Sequence, residues 1–103
     1  MATIEYVVRI VCDTSAHLER MHAWLAPGHM ADVVRAGARS ATLARFDDAP
    51  LTLEVRYAFD SRQAFADYER DHAPRLRAEG RSLFPDGVRF ERRVGEVVHE
   101  ARP

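Results

Sequence analysis

Residues 51–59 read LTLEVRYAF, and this stretch is the clearest β-strand in the sequence. Its apolar side chains recur at every second position, which is the period of a strand with one buried face. The residues before it, Asp47-Asp48-Ala49-Pro50, have the composition of a tight turn. Residues 39–46 then supply the other strand of a hairpin. The apolar face of the second strand comprises Leu51, Leu53, Val55, Tyr57 and Phe59.

The chain before the hairpin predicts a strand followed by a broken helix. Residues 3–12 alternate with the same period of two, and Asp13-Thr14-Ser15 offers side chains that cap a helix. Pro27-Gly28 must interrupt or kink that helix, because proline lacks a backbone donor and glycine loosens the chain. A short helical piece over residues 29–36 follows, and Gly37 ends it.

The chain after the hairpin predicts a second broken helix and a last strand. Asp60 or Ser61 begins the helix as its N-cap. Pro74 lies inside the helical pattern, so we expect a kink or a restart there, with Asp71 as a second N-cap. Residues 88–98 form the last strand.

The order of elements is therefore βαββαβ, within a single domain that spans residues 1–103. The two helical connections are long enough to be crossovers, and the middle pair of strands is a hairpin. This order predicts an α+β protein with the ferredoxin-like fold: a four-stranded antiparallel sheet with its helices on one face.

Helices on one face leave the other face of the sheet open, and the pattern places apolar residues there. Exposed valines at the centre of a strand indicate that something covers them, and the simplest cover is the same face of a second copy. We therefore predict a homodimer through the sheet face. The open face is expected to carry Val7, Val11, Ala41, Leu43 and Val97, with arginines 9, 39, 45, 56, 89 and 93 and glutamates 5, 54 and 91.

The arginines of that face allow two interpretations. A partly dehydrated guanidinium needs a carboxylate or another anion beside it. In the first, ion pairs across the strands, such as Arg9 with Glu54, give each arginine a carboxylate partner on the face itself. Alternatively, the excess positive charge binds an anionic small molecule, with Arg9, Arg56 and Arg93 as candidate ligand-binding residues.

Composition excludes several classes of function. The 15 basic and 16 acidic residues nearly balance, so neither nucleic acid nor a membrane is an expected partner. All the basic residues are arginine, and asparagine is also absent, which excludes a lysine Schiff base and any catalytic asparagine. One cysteine, Cys12, fits a reducing compartment, and the N-terminus has no signal-peptide pattern, so we expect a cytoplasmic protein. The histidine spacings match no standard metal motif, and we expect neither a metal nor a cofactor.

Residues 21–30, MHAWLAPGHM, hold the only tryptophan and two of the five histidines. If the two crossover helices run side by side from their starts, His72 lies level with Trp24, and Tyr68 lies one turn away. One hypothesis is that Trp24, His29, Tyr68 and His72 line a pocket in which His29 or His72 is a general base. The alternative is that His72 is structural and binds a carbonyl freed by Pro74.

Several of these residues also carry a resemblance to a known family. From Ile4 to about Val98 the sequence resembles a bacterial family catalogued only as a domain of unknown function, within the dimeric α/β-barrel group. The resemblance implies the ferredoxin-like fold and dimerisation but no established activity, and Pro27-Gly28 departs from the family pattern. It rests on Trp24 with His29, Gly37, the hairpin into Tyr57, Tyr68-x-x-x-His72-Ala73-Pro74-x-Leu76-Arg77, Phe84 and Arg92-Arg93.

Relatives by fold suggest what such a protein could do, by analogy alone. They include cofactor-free monooxygenases, cyclases, isomerases and haem-degrading enzymes, of which the last rely on an asparagine that this chain lacks. The first hypothesis is an enzyme without a cofactor that acts on a small aromatic or acidic metabolite. The alternatives are a non-catalytic protein that binds a small ligand, and a dimeric scaffold with a filled core.

Overall fold

The computed structural model describes residues 2–103. The four strands form one antiparallel sheet in the order β2-β3-β1-β4, so the predicted βαββαβ order and ferredoxin-like sheet are confirmed. The elements are β1 (Ile4–Cys12), α1 (Ser15–Trp24), α2 (Met30–Arg35), β2 (Ser40–Phe46), β3 (Ala49–Phe59), α3 (Arg62–Asp71), α4 (Ala73–Leu83) and β4 (Val88–Glu96).

The core lies between the helices and one face of the sheet. In the central strands, Tyr6 stands opposite Tyr57 and Ile10 opposite Leu53, so the alternating apolar residues of β1 and β3 meet on the helix side. Burial of this apolar surface is the main force that holds the helices against the sheet. The helices contribute buried side chains that include Leu18, Met21, Leu25, Val33, Tyr68 and Leu76.

Local hydrogen bonds fix where the helices begin. The side chain of Thr14 accepts from the N–H of His17 at the start of α1. At the start of α3 the cap is Ser61, whose hydroxyl accepts from the N–H of Ala64 at 3.1 Å. Capping side chains of this kind satisfy N–H groups that the first helical turn leaves unpaired.

The second crossover restarts where proline predicts it, but at a different cap. α3 ends at Asp71 and α4 begins at Ala73, with Pro74 in its first turn, where a missing N–H costs nothing. The prediction of Asp71 as the second N-cap is wrong. His72 occupies that position, because Asp71 still belongs to α3 and its carboxylate accepts from Arg70.

The first crossover breaks at Pro27-Gly28, as the sequence predicts. α1 ends at Trp24, and Ala26 leaves the helical conformation with φ −111° and ψ 124°. The chain then turns into α2 through a wide turn in which the N–H of Met30 donates to the carbonyl of Leu25, five residues back. This turn sets the position of His29 relative to Trp24.

The predicted face of β2 is wrong. Ala41 stands opposite Tyr57 and Leu43 opposite Val55, so both side chains face the helices and pack against the core. Arg45 stands opposite Leu53 on that same side, and Arg39 precedes the strand. The error has a simple cause: β2 is short and weakly alternating, so only its pairing with β3 fixes its register.

The open face is consequently less basic than predicted. The register of β1 with β3 and β4 places there Glu5, Val7, Arg9, Val11, Glu54, Arg56, Arg89, Glu91 and Arg93. This set contains four arginines and three glutamates, whereas the prediction placed six arginines and three glutamates on the face. Val7 and Val11 are half-buried at its centre.

The helices are short. Within residues 2–103, none has the length and apolar character needed to cross a membrane.

Candidate small-molecule cavity

A small cavity opens between the sheet and helices α1 and α4. It encloses about 40 Å³, space for very few water molecules. Its walls are apolar and aromatic, and no acidic residue lines it within the described part of the chain. The lining residues come from β1, β3 and β4 (Tyr6, Val8, Ile10, Val55, Tyr57, Phe90, Arg92) and from the helical side (Trp24, Leu25, His29, Tyr68, Leu76, Arg77, Gly80, Arg81).

Trp24 and His29 form one wall as a stacked pair. Their ring centroids are 4.1 Å apart and their planes lie 22° from parallel. The indole N–H of Trp24 donates to Glu79 at 3.3 Å. On its other side the indole lies against α4 at Gly80, where an added Cβ would stand 3.1 Å from the ring. The absence of a side chain at Gly80 therefore lets the indole approach α4 closely.

His29 is the histidine that the structure places in the cavity. Its Nδ1 atom is buried and has no hydrogen-bond partner among residues 2–103. Burial lowers the pKa of His29 below its ordinary value, against the opposing effects of Glu79 and Asp32, and the Arg92 charge adds to the lowering. An imidazole in this environment is neutral at physiological pH and has a lone pair available to accept a proton.

Two tyrosines of the lining are held in their protonated form. Burial raises the pKa of Tyr68 to about 12 and also raises the pKa of Tyr57. At neutral pH both phenols are therefore hydrogen-bond donors and acceptors rather than bases. A third tyrosine, Tyr6, accepts a 2.9 Å hydrogen bond from Arg77, which also donates to Glu69 at 2.9 Å.

His72 lies outside this cavity, so the predicted meeting of His72 with Trp24 is wrong. The indole of Trp24 packs beside Gly80 and Phe84, at least two helical turns beyond His72. The prediction aligned the starts of the two crossover helices and treated the second as one helix. That crossover restarts at His72, so the helix that runs past Trp24 is α4. The ring of His72 instead lies 3.4 Å from a guanidinium nitrogen of Arg75. Tyr68, the other predicted neighbour, does line the cavity.

Sequence reasoning missed the three arginines of the cavity, Arg77, Arg81 and Arg92. On α4, Arg77 and Arg81 are four residues apart, the spacing that puts two side chains on one helix face. On β4, alternation with Phe90 puts Arg92 on the helix side, where it stands opposite Val8. Sequence reasoning instead selected Arg93 as a ligand-binding residue, and the register places that residue on the open face.

The arginines predicted to bind a ligand on the open face are largely paired within the sheet. Arg56 donates to Glu5 at 3.1 Å and to Glu54 at 2.8 Å. Arg9 lies 3.9 Å from Glu91, so its predicted pairing with Glu54 is wrong. With Arg93 they line a shallow depression of about 310 Å³ whose wall includes four glutamates, Glu5, Glu54, Glu91 and Glu96. The carboxylates there balance the positive charge.

The remaining reactive side chains form no site. Cys12 is buried, and burial, assisted by Asp13, raises the pKa of its thiol. A thiol with a raised pKa is a poor nucleophile at neutral pH. Across residues 2–103, no group of three or more histidine, cysteine, aspartate or glutamate side chains is placed to hold a metal ion.

Solved structures with the same fold come from several bacteria and from an environmental sample. A dimeric ferredoxin-like protein from an uncultured marine organism has a TM-score of 0.70 and 15% identity, over 98% of this chain and all of that one. SnoaB of Streptomyces nogalater, a cofactor-independent oxygenase, has a TM-score of 0.70 and 16% identity, over 100% of this chain and 99% of that one. At such identities the likeness establishes the fold alone.

A third structure with the fold comes from Bacteroides thetaiotaomicron. It is described as a conserved protein of unknown function and possible oxidoreductase, with a TM-score of 0.70 and 10% identity over 93% of this chain and 98% of that one. No curated protein matches the sequence. One family model does, over residues 3–98, and its description is "Domain of unknown function (DUF4286)". Because this match covers almost the whole sequence, the chain belongs to that family, which confirms the resemblance seen in the sequence.

Proposed function

We propose that this protein is a small homodimeric enzyme that removes a proton from a small aromatic or acidic metabolite without a cofactor. The reaction takes place in the cavity beneath Trp24, and His29 is the general base. Proton abstraction is a step that isomerases, cyclases and cofactor-independent oxygenases can share, so the proposal names this step and not the final product.

The observation that carries the proposal is the state of His29. A general base must be unprotonated and able to reach the substrate. Burial keeps this imidazole neutral, and its Nδ1 has no partner among the described residues that would compete for a proton. Stacking on Trp24 fixes the plane of the ring. The neutral phenols of Tyr57 and Tyr68 can donate hydrogen bonds to an oxygen that gains negative charge in the reaction.

The proposed dimer forms through the open face of the sheet. Val7 and Val11 present apolar surface at its centre, and the surrounding arginines and glutamates nearly balance in charge. Because the face carries both signs of charge, two copies related by a two-fold axis can pair basic side chains of one with acidic side chains of the other. The description of one neighbour as a dimeric ferredoxin-like protein supports dimerisation. An anion held by Arg9, Arg56 or Arg93 at this interface stays a prediction, as does any role of His72.

Exchange of substrate hydrogen for deuterium tests the proton-abstraction step directly. Phenols, β-diketones and aromatic keto acids are incubated with the protein in D₂O, and the loss of C–H signals is followed by NMR. We expect the wild type to accelerate exchange in at least one class and His29→Gln to reduce that rate by about 10²-fold or more. His22→Gln, which alters an exposed histidine of α1, is the matched control.

The same experiment distinguishes a second candidate function, a binding protein without chemistry. Both functions require the cavity to widen when the ligand enters, because about 40 Å³ accommodates a metabolite only after lining side chains have moved. Ligand binding with no exchange above the buffer rate would contradict the enzyme proposal and support the binding protein. Equal exchange by wild type and His29→Gln would show that His29 is not the base.

A further inference from the structure

The charges around the cavity differ from those of the depression on the open face of the sheet. Three arginines line the cavity, and none of its lining residues is acidic. The depression on the open face also has three arginines in its wall, but four glutamates accompany them. The cavity is therefore an apolar site whose only formal charges are positive.

Two of the three cavity arginines are free to bind something else. Arg77 is held by Glu69 and by the hydroxyl of Tyr6. Among residues 2–103, neither Arg81 nor Arg92 forms an ion pair with a carboxylate. Arg92 lies over the ring of Phe90, 5.3 Å from its centroid, which holds the guanidinium beside the cavity wall.

We propose that Arg81 and Arg92 bind the carboxylate of an aromatic acid whose ring occupies the cavity beneath Trp24. Both arginines are exposed to solvent while also lining the cavity, so their guanidinium groups are accessible to an incoming ligand. A guanidinium donates two parallel, charge-assisted hydrogen bonds to a carboxylate. The aromatic rings of Trp24, Tyr57 and Phe90 offer the faces and edges against which a planar ligand packs.

The proposal also gives these arginines a role in the chemistry. When His29 takes a proton from the bound molecule, negative charge develops on the molecule and positive charge on the imidazole. The positive charges of Arg81 and Arg92 in the cavity lining stabilise that negative charge. This inference rests on the proposed function, because it names the substrate class of the same cavity, and its test is arranged so that the two can fail separately.

Fluorescence of Trp24 provides the test, since it is the only tryptophan in the chain and lies in the cavity wall. The probes are 4-hydroxybenzoate and 4-hydroxybenzamide, which have nearly the same shape and differ in charge. We expect the wild type to bind the carboxylate at least about tenfold more tightly than the amide. The double variant Arg81→Gln/Arg92→Gln should lose this preference but keep its affinity for the amide.

Arg20→Gln is the matched control, because Arg20 is an exposed arginine of α1 outside the cavity lining. It should retain the full preference for the carboxylate, and circular dichroism confirms that all variants fold. Equal affinities of the wild type for the two probes, or a preference that survives in the double variant, would overturn the proposal and leave the cavity as a binding site. If neither probe changed Trp24 fluorescence, this proposal would be contradicted, and the exchange experiment would decide the proposed function separately.

Discussion

Gly80 and Trp24 show how one small residue shapes the candidate site. The indole lies so close to α4 that a methyl group at position 80 would stand 3.1 Å from it. Most helix positions gain up to about 1 kcal/mol when glycine is replaced by alanine. Here the new methyl group must push the indole away from α4, which costs packing against Phe84 and stacking on His29.

We therefore expect Gly80→Ala to shift the fluorescence emission of Trp24 and to give none of the usual gain in stability. Fluorescence spectra and urea unfolding measure the two effects. Gly28→Ala is the control, since Gly28 is exposed, lies outside the sheet, and a Cβ there meets no atom within 4 Å. An unchanged emission spectrum together with a stability gain of about 1 kcal/mol would show that the indole does not pack as described.

His29 gives the protein a predictable dependence on pH. Its folded-state pKa is lowered, chiefly by burial, so the unfolded chain binds more protons below about pH 6.5. Stability must then fall as the pH drops through that value toward the lower folded-state pKa. His29→Gln removes this contribution, so the variant should lose less stability than the wild type on acidification.

Urea unfolding at about pH 7.5 and about pH 5.5, for both proteins, checks this prediction. The quantity compared is the difference in unfolding free energy between the two pH values. Equal differences in wild type and His29→Gln would mean that folding does not perturb the pKa of His29.

The sequence allowed only part of the site to be predicted at this scale. Trp24, His29 and Tyr68 were identified because aromatic and imidazole side chains are rare and cluster visibly. Arg81 and Arg92 were missed because arginines occur on most protein surfaces. Only the packing of α4 and the register of β4 show that these two side chains line the cavity. His72 was misplaced because nothing local shows which half of a broken helix will pass Trp24.

At the scale of elements, caps and breaks decide where the helices lie. The sequence offered Asp60 and Ser61 equally as the start of α3, and the structure assigns the cap to Ser61. We expect Ser61→Ala to reduce the unfolding free energy by about 1 kcal/mol, because the N–H of Ala64 loses its acceptor.

Asp60→Ala should reduce the unfolding free energy less than Ser61→Ala does, since it removes only the exposed ion pair with Arg39 at 3.2 Å. Chemical denaturation of the two variants compares these costs directly. A larger loss for Asp60→Ala than for Ser61→Ala would assign the cap to Asp60.

The faces of the strands were predicted more accurately where apolar and polar residues alternate more strongly. β1 and β3 have near-perfect alternation, and their predicted faces are confirmed. The hairpin partner β2 has small and polar residues on both sides, so its face was assigned wrongly. Both helical breaks were found because proline disrupts a helix through local chemistry, which needs no knowledge of the tertiary structure.

For the whole molecule, the open sheet face is the proposed dimer interface. In the register, Val7 stands between Arg56 and Arg93 at the centre of this face. Val7→Lys adds a third positive charge there and removes apolar surface, so it should convert the proposed dimer to a monomer.

Val34→Lys introduces the same side chain on α2, where Val34 is 38% exposed, and should leave the dimer intact. Sedimentation velocity at matched concentrations measures both states, and circular dichroism checks folding. A wild type that is monomeric, or a Val7→Lys variant that stays dimeric, would rule out the sheet face as the interface.

The cavity beneath Trp24 should bind a small molecule, and native mass spectrometry measures such binding. Wild type and Gly80→Leu, whose larger side chain must occupy the space beside the indole, are each incubated with a bacterial small-molecule extract and then measured. We expect a wild-type dimer that carries an added small-molecule mass and a Gly80→Leu variant that carries none. A wild type that gains no mass, or a variant that gains the same mass, would contradict the claim.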